Sequence, residues 1–109
     1  MIPGADGFVP SRNYRPYQKP LSARRSGNIQ KNPKLVQELD GLEQKLRNGN
    51  MKAGRGVKPL PNSNGIYYAR GYTEGARLYF KYSGDNIIVL GESNKPTQEA
   101  VIDFLLKNY

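Results

Sequence analysis

The sequence predicts an α+β domain: an antiparallel β-sheet of at least three strands, packed by one helix before it and one after it. Three observations point there. Leucines at 35, 39, 42 and 46 recur at helical spacing. Three runs rich in Tyr, Phe, Ile and Val then follow between Ile66 and Leu90, separated by Gly, Ser and Asp. An amphipathic stretch with helical spacing closes the chain.

Taken in order, residues 1–32 read as a flexible basic linker or arm, and residues 33–109 as the folded domain. Pro3, Pro10, Pro16 and Pro20 interrupt any helix in the arm, and Gly4, Gly7 and Gly27 loosen it. Arg12, Arg15, Lys19, Arg24, Arg25 and Lys31 are interspersed with Tyr14 and Tyr17. Such a mixture suits stacking on bases and neutralising phosphates, and it equally suits an ordinary linker. The linker reading is preferred, with some contribution to binding RNA or a partner.

The first helix is expected over 33–48. Asn32 caps it and Pro33 fits its first turn. Val36 widens the leucine stripe, and Asn48-Gly49 supplies the stop. Gly41 inside it costs about 1 kcal/mol relative to Ala, so the helix depends on tertiary packing. Residues 50–64 read as a loop, punctuated by Gly54, Gly56, Pro59 and Pro61 and carrying Lys52, Arg55 and Lys58. K-A-G-R-G-V-K lacks the spacing and the Ser/Thr of a P-loop. Its amides and three cations suit a phosphate-binding groove, and a solvated basic loop is an equally good reading.

Strands are expected over 66–70, 76–82 and 86–90, the last two joined by a hairpin on Ser83-Gly84-Asp85. In the second strand Arg77, Tyr79 and Lys81 share one face, and Leu78, Phe80 and Tyr82 share the other. The third strand is apolar on both faces, which predicts a central place in the sheet. Asn94 or Thr97 caps a final helix over 97–108, with Val101, Ile102 and Leu105 as its buried stripe and Phe104 extending it.

Composition narrows the chemistry. A chain of 109 residues holds one small domain. It has no cysteine and no histidine. Zinc binding of the usual kind and a histidine general base are therefore excluded. No apolar run is long enough to cross a bilayer, and the N-terminus lacks the apolar segment of a signal peptide. The net charge of +8 is segregated: residues 1–64 hold 12 Lys and Arg against 4 Asp and Glu, and residues 65–109 hold 5 of each. A one-sided excess of this kind suits a polyanion or an acidic protein better than it suits a merely soluble surface.

The stretch from Gly75 to Ile102 reads G-A-R-L-Y-F-K-Y-S-G-D-N-I-I-V-L-G-E-S-N-K-P-T-Q-E-A-V-I. Its pattern of Gly-x-Arg-x-Tyr, hairpin, Ile-Ile-Val-Leu-Gly, polar loop with lysine, and helix resembles the RelE/ParE/HigB toxins. These belong to a wider group with barnase, EndoU and colicin nuclease domains. The pattern also resembles the ribonuclease toxin domains that end large secreted, contact-dependent effectors. The resemblance covers residues 65–109, and it implies a RelE/barnase-like fold whose catalysis rests on Arg, Lys and Tyr. It places the second-strand arginine at Arg77, the basic residue before the last helix at Lys95, and a first-strand cation at Arg70. Tyr79 or Tyr68 stands in for the family's tyrosine. The S-N-K-P-T-Q loop makes Thr97 and Gln98 candidates for RNA contacts, beside Lys52, Arg55 and Lys58 of the basic loop.

The implied reaction is metal-independent cleavage of RNA through the 2′-hydroxyl, with no cofactor. Arginine suits the phosphate, because its planar fork matches two oxygens and keeps its charge. A lysine beside other cations suits proton transfer, with Glu92 as an alternative base. Arg77 is also placed to pair with Glu74 or Glu92 across the sheet edge, which would make it structural. The expected function is thus an endoribonuclease toxin that cuts RNA, such as tRNA or ribosome-bound mRNA. It would act in the cytoplasm of a target or producing bacterial cell and be neutralised by an acidic immunity or antitoxin protein. Two other classes compete: a non-enzymatic basic RNA-binding module, and a ParE-like toxin that binds a protein target.

Overall fold

The long helix before the sheet begins where the sequence supplies a cap. In the computed structural model, which describes residues 27–50 and 52–109, Asn32 is extended and its side chain accepts the Leu35 N–H (3.2 Å), ahead of the helix that starts at Pro33. A short helix α1 (Gly27–Gln30) leads into it and buries Ile29. Helix α2 (Pro33–Arg47) turns the predicted leucines into one buried row, with Leu35 and Leu39 fully enclosed. The folded part therefore starts before Pro33, inside the expected linker, because Ile29 gains a place in the same core. The remaining basic and tyrosine positions of that arm, Arg12 to Arg25, lie outside the described residues.

Four strands follow as a meander: β1 (Val57–Pro59), β2 (Tyr67–Arg70), β3 (Arg77–Ser83) and β4 (Asn86–Ser93), each antiparallel to its sequence neighbour. Helix α3 (Gln98–Asn108) closes the chain. The α+β class and its antiparallel sheet between two helices stand as expected. Strand β1 corrects the reading of 50–64 as a plain loop. It lies at the sheet edge, where the missing N–H of Pro59 is tolerated.

Strand β4 corrects a second expectation. It is the opposite edge of the sheet, not its centre. Its two apolar faces are explained by the helices: Ile87 and Val89 join the core under α2, and Leu90 joins the core under α3. The sheet is thus sandwiched between two helices, and the β3 face carrying Tyr79 is covered as well. Pairing runs Phe80 to Val89 but Tyr79 to Gly91, so Leu90 is an extra residue in β4. This bulge resets the alternation and puts Gly91 and Ser93 on the α3 face. Gly91 lets the helix come close, since a Cβ there would lie 3.2 Å from Val101 Cγ1 and 3.4 Å from Leu105 Cδ1. Gly84, at φ +60°, makes the two-residue turn between β3 and β4. In α3 Leu105 is fully buried and Val101 and Ile102 partly so, while Phe104 is exposed rather than extending the stripe.

Candidate functional site

The α3 face of β2 and β3 carries the cations. Residues two apart on a strand share a face, so Tyr68 lies beside Arg70 and Tyr79 beside Arg77. Antiparallel pairing then sets Arg70 directly opposite Arg77, and Tyr68 directly opposite Tyr79. Like charges placed directly opposite destabilise a sheet. Neither arginine forms an ion pair with a carboxylate among the described residues. Neither expected structural partner of Arg77, Glu74 or Glu92, forms an ion pair with it among the described residues. Glu92 pairs opposite Leu78, on the α2 face, so it is neither the partner of Arg77 nor the base of this site. The Arg77 guanidinium instead donates from Nη1 to the Gly75 carbonyl (2.7 Å) and is 6% exposed.

A cleft of about 160 Å³ opens over these four residues. Leu60 and Pro61 of the β1–β2 loop form one wall, and Gln98 and Ile102 of α3 form the other. The loop is closed by Leu60 N–H donating to Ile66 O (2.8 Å) and by Ser63 Oγ donating to Leu60 O (2.6 Å). Gln98 is the first residue of α3, and its N–H donates to Lys95 O (3.3 Å). At the floor the Tyr79 hydroxyl and the Ser93 hydroxyl share a hydrogen bond of 3.0 Å. Burial pushes the Tyr79 phenol above its ordinary range, against the opposing pull of the Ser93 bond and the Arg77 charge. The phenol is therefore neutral at pH 7 and can donate.

The structure thus gathers Arg70, Arg77, Tyr68, Tyr79 and Gln98 in one place, all of them chosen from the sequence. Lys95 is not among the residues that line the cleft. A Cβ on Gly75 would lie 3.7 Å from Lys95 N and 3.6 Å from Arg77 Nη1, so the turn carrying Lys95 packs beside that arginine. Thr97 serves the turn itself: its hydroxyl donates to Asn94 Oδ1 (2.8 Å) and its N–H donates to the same oxygen (3.2 Å). Lys58 pairs opposite Tyr68 and so shares the cleft face at the outer strand, where it is exposed.

Lys52 and Arg55 do not line the cleft. The loop holding them is not an open amide cradle, because the N–H groups of Lys52, Arg55 and Gly56 already have acceptors in the protein. Lys52 N–H donates to Asn50 Oδ1 (2.9 Å), Arg55 N–H to Arg70 O (2.8 Å) and Gly56 N–H to Ala53 O (2.9 Å). Gly54, at φ +58°, has no room for a Cβ against the Arg70 carbonyl. The Arg55 guanidinium lies over the exposed Tyr72 ring, 5.4 Å from its centroid.

Sequence reading missed Ser93, whose place depends on the bulge, and Glu38, whose role depends on a distant loop. Glu38 Oε2 accepts from the Thr73 N–H and hydroxyl (2.9 Å each), and Oε1 accepts from the Glu74 and Ala76 N–H groups (3.0 and 3.2 Å). Burial alone would raise its pKa, but these donors outweigh burial and hold the carboxyl below its usual range. Among the described residues no group of three or more acidic side chains is gathered to hold a metal ion, and no helix is long and apolar enough to cross a membrane. Comparison of the chain with protein-family models, with curated proteins and with solved structures finds no match.

Proposed function

We propose that this chain is a metal-independent endoribonuclease toxin, restrained in the producing cell by an acidic immunity or antitoxin protein. The observation that carries the reading is the Arg70–Arg77 pair, two cations set opposite one another without a carboxylate among the described residues. A sheet gains nothing from this arrangement until an anion lies between the two forks. A phosphodiester supplies that anion, and Tyr68 beside it supplies a ring on which a base can stack. In this reading Arg70 and Arg77 bind the phosphate and stabilise its added charge as the 2′-oxygen attacks. Tyr79, neutral and buried, donates a hydrogen bond to a phosphate oxygen. Lys95, whose turn packs beside Arg77, gives a proton to the leaving 5′-oxygen, and the proton of the 2′-hydroxyl passes to water. The bond between phosphorus and the 5′-oxygen breaks, leaving a 2′,3′-cyclic phosphate and a 5′-hydroxyl. The proton lost by the 2′-hydroxyl balances the one gained by the leaving oxygen.

One observation favours a second reading. Among the described residues no carboxylate lines the cleft, and the chain has no histidine, so these lining residues offer no ordinary general base. A basic module that binds RNA without cutting it needs none. Incubating purified protein with structured RNA in EDTA separates the two. The toxin reading expects cleavage to persist, to leave cyclic phosphate ends, and to fall on the order of 10²-fold or more in Arg77→Ala and Arg70→Ala. Arg77→Lys should not restore full activity, since it lacks the bidentate fork. Tight binding with no cleavage would establish the second reading instead.

A further inference from the structure

Glu38 lies on the far side of the sheet from the cleft, yet it is bonded to the segment that joins the two arginines. The β2–β3 connection, residues 71–76, starts after Arg70 and ends before Arg77, and Gly71 N–H closes it onto Ala76 O (2.8 Å). One carboxylate accepts four hydrogen bonds from this connection, through Thr73, Glu74 and Ala76. Contact is close enough that a Cβ on Gly71 would overlap the Glu38 carboxyl. The conformation so fixed holds Gly75 at φ +68°, and the Gly75 carbonyl accepts the Arg77 guanidinium at 2.7 Å.

We infer that Glu38 is a positioning residue for Arg77, acting through the 71–76 connection and the Gly75 carbonyl. The arrangement has a chemical logic. An acid placed beside Arg77 would orient it by neutralising it. Glu38 spends its acceptor capacity on amides and a hydroxyl, and forms no ion pair with either arginine among the described residues. The fork is thereby aimed while its charge stays available to an anion. The Lys95 turn packs against the same Gly75, so the connection sets the relation of both cations. Without the carboxylate, three amides lose their acceptor, the connection relaxes, and the Gly75 carbonyl no longer fixes the guanidinium.

The kinetic arm of the test rests on the ribonuclease reading, and the spectroscopic arm does not. In ¹⁵N-labelled full-length protein the Arg77 side-chain Nε–Hε signal is identified by its loss in Arg77→Lys. Glu38→Gln keeps the shape but presents an amide to the amide donors. Thr73→Val removes one donor alone and covers the case in which Glu38→Gln does not fold. The expected result is a displaced or broadened Arg77 signal in Glu38→Gln and a smaller change in the same direction in Thr73→Val. RNA cleavage by Glu38→Gln should fall roughly 10- to 100-fold, mainly in kcat, as for a small misplacement of a catalytic group. Adding Glu38→Gln to Arg77→Lys should cost nothing further, because both act on one group. An unmoved Arg77 signal in folded variants overturns the inference, and so do losses that multiply in the double variant. A moved signal in a protein that cuts no RNA upholds the positioning role and removes the ribonuclease reading alone.

Discussion

Replacing Arg70 with threonine should make this protein more stable and less able to hold an anion. Arg70 is exposed, it ends β2, and threonine suits a strand. The substitution therefore opens no cavity. What it removes is the repulsion across the β2–β3 pair, where the partner is Arg77. Like charges directly opposite across a strand pair cost on the order of 0.6 kcal/mol, within the roughly 0.2–1 kcal/mol that cross-strand pairs are worth. For a folded unit of this size that corresponds to a rise of about 2–5 °C in melting temperature. Calorimetry at low salt reads the shift directly. Repeating it at high salt isolates the charge, because at 1 M the screening length shrinks to about 3 Å and only the strand preference of threonine survives. Inorganic phosphate gives the complementary measurement: it should stabilise the native protein more than the variant, since it binds only where both forks are present. An Arg70→Thr protein that melts at or below the native temperature at low salt would refute the reasoning. So would a gain that is the same size at 1 M salt.

Two further outcomes follow from the packing of the α3 face. Gly91→Ala should destabilise the fold by about 1 kcal/mol or more in urea titration, because the new methyl meets Val101 and Leu105 at 3.2 and 3.4 Å. Tyr79→Phe should cost about 1 kcal/mol at pH 7, by leaving the buried Ser93 hydroxyl without its partner. The same variant should alter the alkaline limb of the stability curve. Tyr79 has a folded pKa above its ordinary 10.0, so its contribution is complete below pH 10 and is lost as pH rises through the folded value. Urea midpoints measured from pH 8 upward should decline with that loss in the native protein and lack it in Tyr79→Phe.

Local pattern carried much of this architecture. The leucine stripe of α2, the hairpin at Gly84 and the strand runs of β2 and β3 each bury residues at the period that identifies them. What pattern could not carry depends on pairing. Gly91, Glu92 and Ser93 have little intrinsic preference for a strand, and they form one because Tyr79, Leu78 and Arg77 lie opposite. Strand β1 has three residues and contains a proline, so it becomes visible only beside β2. The cleft divides in the same way. Arg70, Arg77, Tyr68 and Tyr79 are legible because alternation fixes their face. Ser93 reaches that face through a bulge that no run of residue types announces. Glu38 meets Thr73 across 35 positions of chain, a separation at which a single sequence holds no signal.

The two helices are anchored unequally, and this bears on access to the cleft. Helix α2 buries four leucines in its core, whereas α3 contributes one, Leu105, with Val101 and Ile102 half covered. Opening free energy tracks buried apolar contact, so α3 releases at a smaller fraction of the global unfolding energy than α2 does. It is also one of the two walls of the cleft. Brief detachment of the chain's last turns would turn a narrow slot into an open shelf without disturbing the α2 core. A molecule too bulky for the closed slot could then enter, at an opening cost set by Leu105 and its two half-buried neighbours.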